Sequence, residues 1–288
     1  MKNEMPYEGL AMVTDLDGTL LLPDKTLSAE DAAAIAEFRA KGGLFGIATG
    51  RGVQATKEYL DLMQPDMPAI VYNGVMLYDG KTAQVRTSSR LPQSANALLE
   101  DLMQRFPETG VELLNEDGVY VIQDSDYERW HLQITHITGI PRTLAECPAE
   151  RCCKSLLAAA PELVDEMFAY VEGLGLTDVR FTKSNPEFLE ILPAGVSKGS
   201  ALTALRGFLP QGMRIAASGD FDNDIQMLET ADYAACPADA QECVQEAIAA
   251  VGGYRSEKTC RNGFFADWVQ EVCSRFVGDA VPHTPCQE

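Results

Sequence analysis

The first part of the chain alternates between short apolar runs and longer stretches of helical pattern, and this alternation limits the possible folds more than any other feature. One apolar run ends at Asp15, and two more end at Thr49 and Asn73. The stretches between them, residues 28–43 and 53–63, are typical of helices. Strands that alternate with helices at this spacing form βαβ units. We therefore predict an α/β fold built on a Rossmann-like parallel sheet.

The alternation breaks in the middle of the chain. Residues 75–87 are typical of a hairpin around Asp79-Gly80, and residues 111–124 are typical of a second hairpin. Residues 152–159 fit either a strand or a helix. The middle of the chain therefore has an α+β character that differs from its flanks.

The alternating pattern returns at about residue 192 and ends before a tail, residues 277–288, which lacks periodicity and is expected to be loose. We predict two domains: a Rossmann-like core of residues 1–85 and 192–288, and an inserted α/β cap domain of residues 86–191.

Composition and charge exclude several classes of protein. The chain has 288 residues, 46% of them hydrophobic, and a formal net charge of −20, which excludes a general nucleic-acid binder. No apolar run approaches the ~20 residues that span a bilayer, and the N-terminus lacks the apolar core of a signal peptide. The eight scattered cysteines are expected to be reduced thiols, and their spacing disfavours structural zinc. We expect a soluble cytoplasmic protein.

Two aspartates, Asp15 and Asp17, follow the first apolar run. Residues i and i+2 of a strand point to the same face, so their charges would repel unless a cation lies nearby. One interpretation is a polar strand end that turns into Gly18-Thr19. The other is a catalytic pair, with Asp15 as nucleophile, Asp17 as acid and base, and Mg²⁺ as the cation that suits oxygen ligands.

A second acidic group follows the apolar run at residues 214–218, in the sequence GDFDND. Asp and Asn favour the start of a helix, but a cap needs only one such residue. The excess favours metal binding by Asp220 and Asp224, and we expect Asp222 to be solvated.

Lys198 and Thr49 complete the candidate site. Lys198 stands at the predicted start of a helix, where the helix dipole disfavours a cation, so its place makes sense only if it balances carboxylates or a phosphate. Thr49-Gly50-Arg51 could be a turn with a solvated Arg51, or Thr49 could donate its hydroxyl to a bound oxyanion.

The segments DLDGTL, ATGR, GVSKGSAL and GDFDND occur in this order, and together they resemble the motifs of haloacid-dehalogenase-like phosphatases. The large insert between the second and third motifs resembles the cap of subfamily IIB, the Cof-type sugar-phosphatase-like hydrolases. The resemblance covers the chain to about residue 275.

The resemblance implies roles for the matching residues. Asp15 would accept the phosphoryl group, Asp17 would protonate the leaving group, and Lys198 would be the catalytic lysine. Asn73-Gly74 matches a segment that lies near the substrate in the family. The implied Mg²⁺ ligands are Asp15, Asp17, Asp220 and Asp224, and the implied phosphate-binding or substrate-binding residues are Thr49, Gly50, Arg51, Asn73 and Asn223.

Two parts of the chain depart from the family pattern. Residues 236–240 read CPADA where relatives have a Gly-Asn-Ala turn. The insert also lacks a specificity signature, and we expect most of its candidate polar residues to lie at the surface and both tryptophans, Trp130 and Trp268, to serve packing. The candidates are Arg129, His131, Arg142, Lys154 and Lys183.

The candidate residues and the family resemblance together predict a Mg²⁺-dependent phosphatase that hydrolyses small phosphorylated metabolites through an aspartyl-phosphate. Sugar phosphates are favoured because the insert would close over the site and limit substrate size. Two alternatives stay open, a phosphosugar mutase and a non-catalytic sugar-phosphate-binding sensor. A kinase-like enzyme is disfavoured because the chain has no G-x-x-x-x-G-K-[ST] loop. We expect a monomer or homodimer that binds neither nucleic acid nor membrane.

Overall fold

The computed structural model describes residues 5–277 and divides into two compact units. The parallel-sheet unit contains the described residues up to Ala48, the segment Pro65–Met67, and the described residues from Leu202 onward. The mixed-sheet unit contains Thr49–Gln64 and Pro68–Ala201.

Strands and helices follow one another along the chain with few long connections. The strands are β1 (Leu10–Thr14), β2 (Leu44–Ile47), β3 (Ala69–Val71), β4 (Met76–Asp79), β5 (Gln84–Ser88), β6 (Gly110–Leu114), β7 (Val119–Gln123), β8 (Ile140–Pro141), β9 (Lys154–Ala158), β10 (Val179–Asn185), β11 (Phe188–Pro193), β12 (Arg214–Ser218), β13 (Tyr233–Cys236) and β14 (Tyr254–Arg255). The helices are α1 (Ala29–Ala40), α2 (Val53–Met63), α3 (Ser94–Arg105), α4 (Asp126–Thr135), α5 (Pro161–Gly173), α6 (Lys198–Leu205), α7 (Ile225–Thr230), α8 (Glu242–Ala250) and α9 (Phe264–Val277).

A five-stranded sheet with the order β14-β13-β12-β1-β2 forms the centre of the parallel-sheet unit. Every neighbouring pair of its strands is parallel, which confirms the predicted α/β class with a parallel core. Thr14 lies opposite Ser218, the last residue of the neighbouring strand. The residues that follow β1 and β12 therefore emerge at the same edge of the sheet, where open α/β sheets bind their ligands.

Helix α1 begins at the position that its sequence predicts. The side chain of Ser28 accepts a hydrogen bond from the backbone N–H of Asp31. Asp31 is buried, and its carboxylate accepts hydrogen bonds from the Ser28 hydroxyl at 2.7 Å and from the N–H of Ala266 in α9 at 2.9 Å. The cap therefore also joins α1 to α9.

The mixed-sheet unit contains a six-stranded sheet with the order β10-β11-β9-β6-β7-β8. Its neighbouring strands are antiparallel except for β7 and β8. One face is apolar and packs against α3 and α5. The opposite face carries Glu112, Leu156 and Glu190 in one row across three strands, and α4 contacts β6 and β9. Glu112 and Glu190 are therefore buried on that second face.

Several local predictions are settled by the strand pairing. Residues 154–158 of the ambiguous segment form a strand. The sequence predicts a third parallel strand for the run that ends at Asn73, but β3 pairs antiparallel with β4 in a separate three-stranded sheet with β5. The tight Tyr72–Gly74 turn sends the chain straight back along β3, so β4 becomes its antiparallel neighbour.

The sequence predicts a core of residues 1–85 and 192–288 and an insert of residues 86–191. These limits differ from those of the two compact units, and the division into core and insert stays a prediction. The tail at residues 277–288 lies outside the described residues except for Val277, which ends α9. Within residues 5–277, no helix has both the length and the apolar character needed to cross a membrane.

Candidate active site

Three carboxylates meet at the edge of the parallel sheet. Asp15 follows β1, and Asp220 and Asp224 follow β12. One oxygen from each lies within 4.8 Å of the others, and Asp15 and Asp224 are buried. Because three carboxylates this close repel each other, the group fits a hard divalent cation such as Mg²⁺.

The Asp-Gly-Thr segment after β1 orients Asp220. The hydroxyl of Thr19 is buried and donates to Oδ1 of Asp220 at 2.7 Å. Gly18 has a φ of +85°, and a Cβ on it would lie 2.3 Å from Oδ2 of Asp220. The backbone angle and the close approach both require glycine at this position. The conformation after β1 and the position of Asp220 are therefore linked.

Backbone amides of its own turn fix the side chain of Asp224. Its Oδ2 accepts hydrogen bonds from the N–H of Asp220 at 3.0 Å and the N–H of Phe221 at 3.1 Å. These amides orient the carboxylate of Asp224 beside Asp220. Asp222 is exposed, as the sequence predicts, and Asn223 is half-buried.

Asp17 does not belong to the group of three carboxylates, although the sequence predicts it as a fourth metal ligand. Strand β1 ends at Thr14, so the argument that Asp15 and Asp17 share one strand face does not apply. The side chain of Asp17 is 36% exposed and accepts a hydrogen bond from Nζ of Lys25 at 2.7 Å. Asp17 therefore differs from the three clustered carboxylates in its access to water and its ion pair, and its role as a metal ligand stays a prediction.

In the mixed-sheet unit, the structure brings Thr49 and Asn73 together. The N–H of Asn73 donates to the carbonyl of Thr49 at 3.1 Å, and Asn73 is buried with a φ of +56°. The guanidinium of Arg51 lies 4.9 Å from the ring centre of Tyr59 and donates to its hydroxyl, so Arg51 is half-buried rather than solvated.

Lys198 is also buried, with 1% of its surface exposed, so it is not a solvated surface lysine. It begins α6 beside the turn at Gly74, where φ is +95° and a Cβ would lie 2.1 Å from the carbonyl oxygen of Ser197. An ammonium group is buried at high cost unless negative charge balances it. The burial of Lys198 therefore requires negative charge close to its ammonium group, and its role in the site stays a prediction.

Glu190 is absent from the predicted site residues, and Lys154 is one of five candidates of the insert, most of which are expected at the surface. Glu190 is buried and accepts hydrogen bonds from Nδ2 of Asn73 and Nζ of Lys154, each at 2.7 Å. Lys154 also donates to the carbonyl of Gly50 at 3.2 Å. The ion pair therefore links the segment after β2 to the turn after β3. The sequence does contain one indication that Glu190 is buried, because it is a single glutamate within the apolar sequence FLEIL of β11.

The other candidate residues of the insert behave as expected, except for His131, which is buried. Arg129 and Arg142 are exposed, and Lys183 pairs with Asp165 at the surface. Trp268 is fully buried against Tyr254, which agrees with a packing role. Trp130 stacks on Phe188 while part of its ring stays exposed.

Comparison with known proteins gives matches over most of the chain. The profile of haloacid dehalogenase-like hydrolases matches residues 12–259. A 5-amino-6-(5-phospho-D-ribitylamino)uracil phosphatase of Bacillus subtilis is 28% identical over 226 residues, which are 75% of this chain and 82% of that protein. An HMP-PP phosphatase of Citrobacter koseri is 27% identical over 225 residues, or 75% of this chain and 79% of that protein.

A solved structure of a sugar phosphatase of haloacid dehalogenase subclass IIB has a TM-score of 0.74 to this chain at 20% identity. The match covers 91% of this chain and 98% of that one. This likeness shows that the two chains share a fold.

Proposed function

Because the chain belongs to the family of haloacid dehalogenase-like hydrolases, we propose that it is a Mg²⁺-dependent phosphatase of small phosphorylated metabolites, with sugar phosphates as the favoured class. The observation that carries the proposal is the approach of the Asp15, Asp220 and Asp224 carboxylates to within 4.8 Å of one another. The curated relatives named above are phosphatases, and one structural neighbour is a sugar phosphatase.

Asp15, Asp220 and Asp224 would hold the cation. When bound, Mg²⁺ stabilises negative charge on the phosphoryl oxygens and reduces the repulsion between Asp15 and an anionic substrate. The structure supports this assignment because the Thr19 hydroxyl orients Asp220 and two backbone amides orient Asp224. Ligands that are already oriented lose little freedom when the cation binds.

Asp15 would act as the nucleophile and Asp17 as the acid and base. An oxygen of Asp15 bonds to phosphorus while the bond to the leaving oxygen breaks, and Asp17 gives its proton to that oxygen. Asp17 then takes a proton from water, whose oxygen attacks the phosphorus of the aspartyl-phosphate. Inorganic phosphate leaves, the carboxylate of Asp15 is restored, and Asp17 holds its proton again.

Thr49 and Lys198 would bind the phosphoryl oxygens, by a hydroxyl and an ammonium group respectively. Charge spreads over these oxygens in the transition state, so fixed donors and cations stabilise it. Gly50, Arg51, Asn73 and Asn223 stay proposed substrate-binding residues. Glu190 would be a positioning residue, because it holds the side-chain amide of Asn73.

A screen of phosphorylated metabolites for released phosphate tests the proposal. We expect turnover of a sugar phosphate with Mg²⁺, no turnover after EDTA treatment, and recovery when Mg²⁺ is restored. Asp15→Asn should bind substrate without releasing phosphate, because the amide keeps the shape of the carboxylate but is not a nucleophile. Full activity in metal-free buffer would exclude the mechanism. Transfer of the phosphoryl group within the sugar, seen by NMR without phosphate release, would favour the mutase.

A further inference from the structure

A second group of potential metal ligands lies in the mixed-sheet unit, in residues that the proposed phosphatase reaction does not use. Glu112 lies on β6, and Glu128 and His131 lie on α4. One ligand atom from each lies within 4.8 Å of the others. Nδ1 of His131 is 2.6 Å from Oε1 of Glu112. The two helical residues are three positions apart, so they lie on the same face of α4.

The carboxylates of this group are buried without enough hydrogen-bond partners. Glu112 and Glu128 are both 0% exposed. Neither oxygen of Glu128 has a hydrogen-bond partner, and Oε2 of Glu112 also lacks one. A buried carboxylate without partners is costly, so a ligand or a proton must compensate it.

The backbone is shaped to bring α4 close to β6. A Cβ on Gly110 would lie 2.4 Å from the Cβ of Glu128, so only glycine allows this approach. His131 is fixed by the ring of Phe188, whose centre is 4.8 Å away at a steep angle. The helix therefore presents both potential ligands to Glu112 in fixed positions.

The charges around the group also fit a divalent cation. The buried ammonium group of Lys154 is paired with the carboxylate of Glu190 at 2.7 Å, so its charge is already balanced by a different residue. A divalent cation bound by Glu112 and Glu128 would balance the charges of these two carboxylates.

We propose that Glu112, Glu128 and His131 bind a divalent transition-metal cation, of the class that includes Mn²⁺ and Zn²⁺, and that this cation joins α4 to β6. One imidazole and two carboxylates form a mixed nitrogen and oxygen donor set, which suits these ions better than Mg²⁺ or Ca²⁺. The cysteine spacing and the supply of three histidines, His131, His136 and His283, disfavour a structural zinc site, but this site needs no cysteine and a single histidine. The proposal is independent of the phosphatase function.

Binding measurements on the full chain test this site. The background variant carries Asp15→Asn and Asp220→Asn, so that the carboxylates of the parallel-sheet unit do not contribute. We expect this variant to bind a single equivalent of Mn²⁺, counted from the loss of the free-ion EPR signal, and to unfold at a higher temperature when the ion is present. Adding Glu128→Gln should remove both effects. The matched control is Asp126→Asn, which removes an exposed carboxylate of the same helix and should change neither effect.

A spectroscopic measurement keeps the test valid if Glu128→Gln fails to fold. The bound Mn²⁺ should show electron spin-echo modulation from a coordinated imidazole nitrogen, and His131→Asn should abolish it. The proposal is overturned if the background variant binds neither Mn²⁺ nor Zn²⁺, because Glu112 and Glu128 would then share a proton. It is equally overturned if the ion is bound without the nitrogen signal.

Discussion

Two aspartates that are neighbours in the sequence, Asp15 and Asp17, have different surroundings in the structure. Asp15 is buried within the group of three carboxylates, whereas Asp17 is partly exposed and forms an ion pair with Lys25. A nucleophile benefits from a fixed position beside the cation, and an acid and base benefits from access to substrate and water. The different surroundings of these two aspartates therefore match different chemical tasks.

The role of Asp17 can be tested with leaving groups of different quality. Asp17→Asn should reduce turnover of a sugar phosphate by ~10²–10⁴-fold, because its alkoxide leaves poorly without a proton. With p-nitrophenyl phosphate the first step should change little, since the phenolate leaves readily. The measurement is the pre-steady-state burst of p-nitrophenolate, which should resemble wild type and precede slow turnover. An equal loss of the first step with both substrates would mean that Asp17 is not the acid.

The ion pair of Lys154 and Glu190 can be tested by a double-mutant cycle. Each side chain is at most 4% exposed, so Lys154→Met or Glu190→Gln alone should destabilise the protein by about 3–5 kcal/mol. The double variant should lose less than the sum, because it leaves no charge alone. Urea unfolding measures the three changes.

A matched control for this cycle is Lys183→Met, which breaks the exposed pair with Asp165 and should cost about 1 kcal/mol or less. Strict additivity of Lys154→Met and Glu190→Gln would show that the buried ion pair has no net coupling. A loss of substrate affinity in Glu190→Gln, with little change in kcat, would support its proposed hold on Asn73.

Among the secondary-structure elements, the parallel arrangement of β1 and β12 determines where the candidate ligands that follow these strands lie. Residues after β1 and β12 meet because the two strands are parallel neighbours in register. Gly18 allows the turn after β1 to pass close to Asp220. The site therefore depends on a backbone conformation as well as on its carboxylates.

Gly18→Ala tests this dependence. Alanine is strained at a φ of +85°, and its Cβ would displace Asp220, so we expect weaker Mg²⁺ activation and a loss of about 1–3 kcal/mol of stability. Activity at increasing Mg²⁺ concentrations measures the activation, and urea unfolding measures the stability. Gly173→Ala is the control, because nothing lies within 4 Å of its added Cβ and the change should stay below about 1 kcal/mol. Unchanged Mg²⁺ activation in Gly18→Ala would refute the inferred link.

At the scale of the whole molecule, net charge is the dominant property. A formal charge of −20 on 288 residues produces repulsion within the folded chain. The proposed anionic substrate must therefore be bound through local cations, because the overall field opposes its approach. Screening shortens that field to roughly 8 Å at physiological salt.

We expect the unfolding temperature to rise when NaCl is increased from low concentration to about 0.15 M, because salt screens this repulsion. Differential scanning calorimetry in buffer with chelator measures the effect without bound metal. At a pH nearer the sequence pI of about 4.5, the same increase in salt should have a smaller effect. A fall of the unfolding temperature with salt at neutral pH would show that attractive ion pairs outweigh the repulsion.

Features that depend on neighbouring residues could be predicted from the amino-acid sequence. The alternation of strands and helices, the Ser28 cap and the polar residues after strand ends all follow from local periodicity and from side chains within a few positions. The family motifs are local in the same sense. For this reason the α/β class and most elements could be predicted before any contact was known.

Contacts between side chains that are distant in the chain arise from the packing of whole elements and could not be predicted in this way. The Thr19 hydroxyl reaches Asp220 across 201 positions of the chain, and Asn73 reaches Glu190 across 117. Strand order and register create these contacts, and no local pattern encodes them. The same holds for Glu112, Glu128 and His131, because the burial of an ionisable group is tolerable only with partners that arrive from other elements.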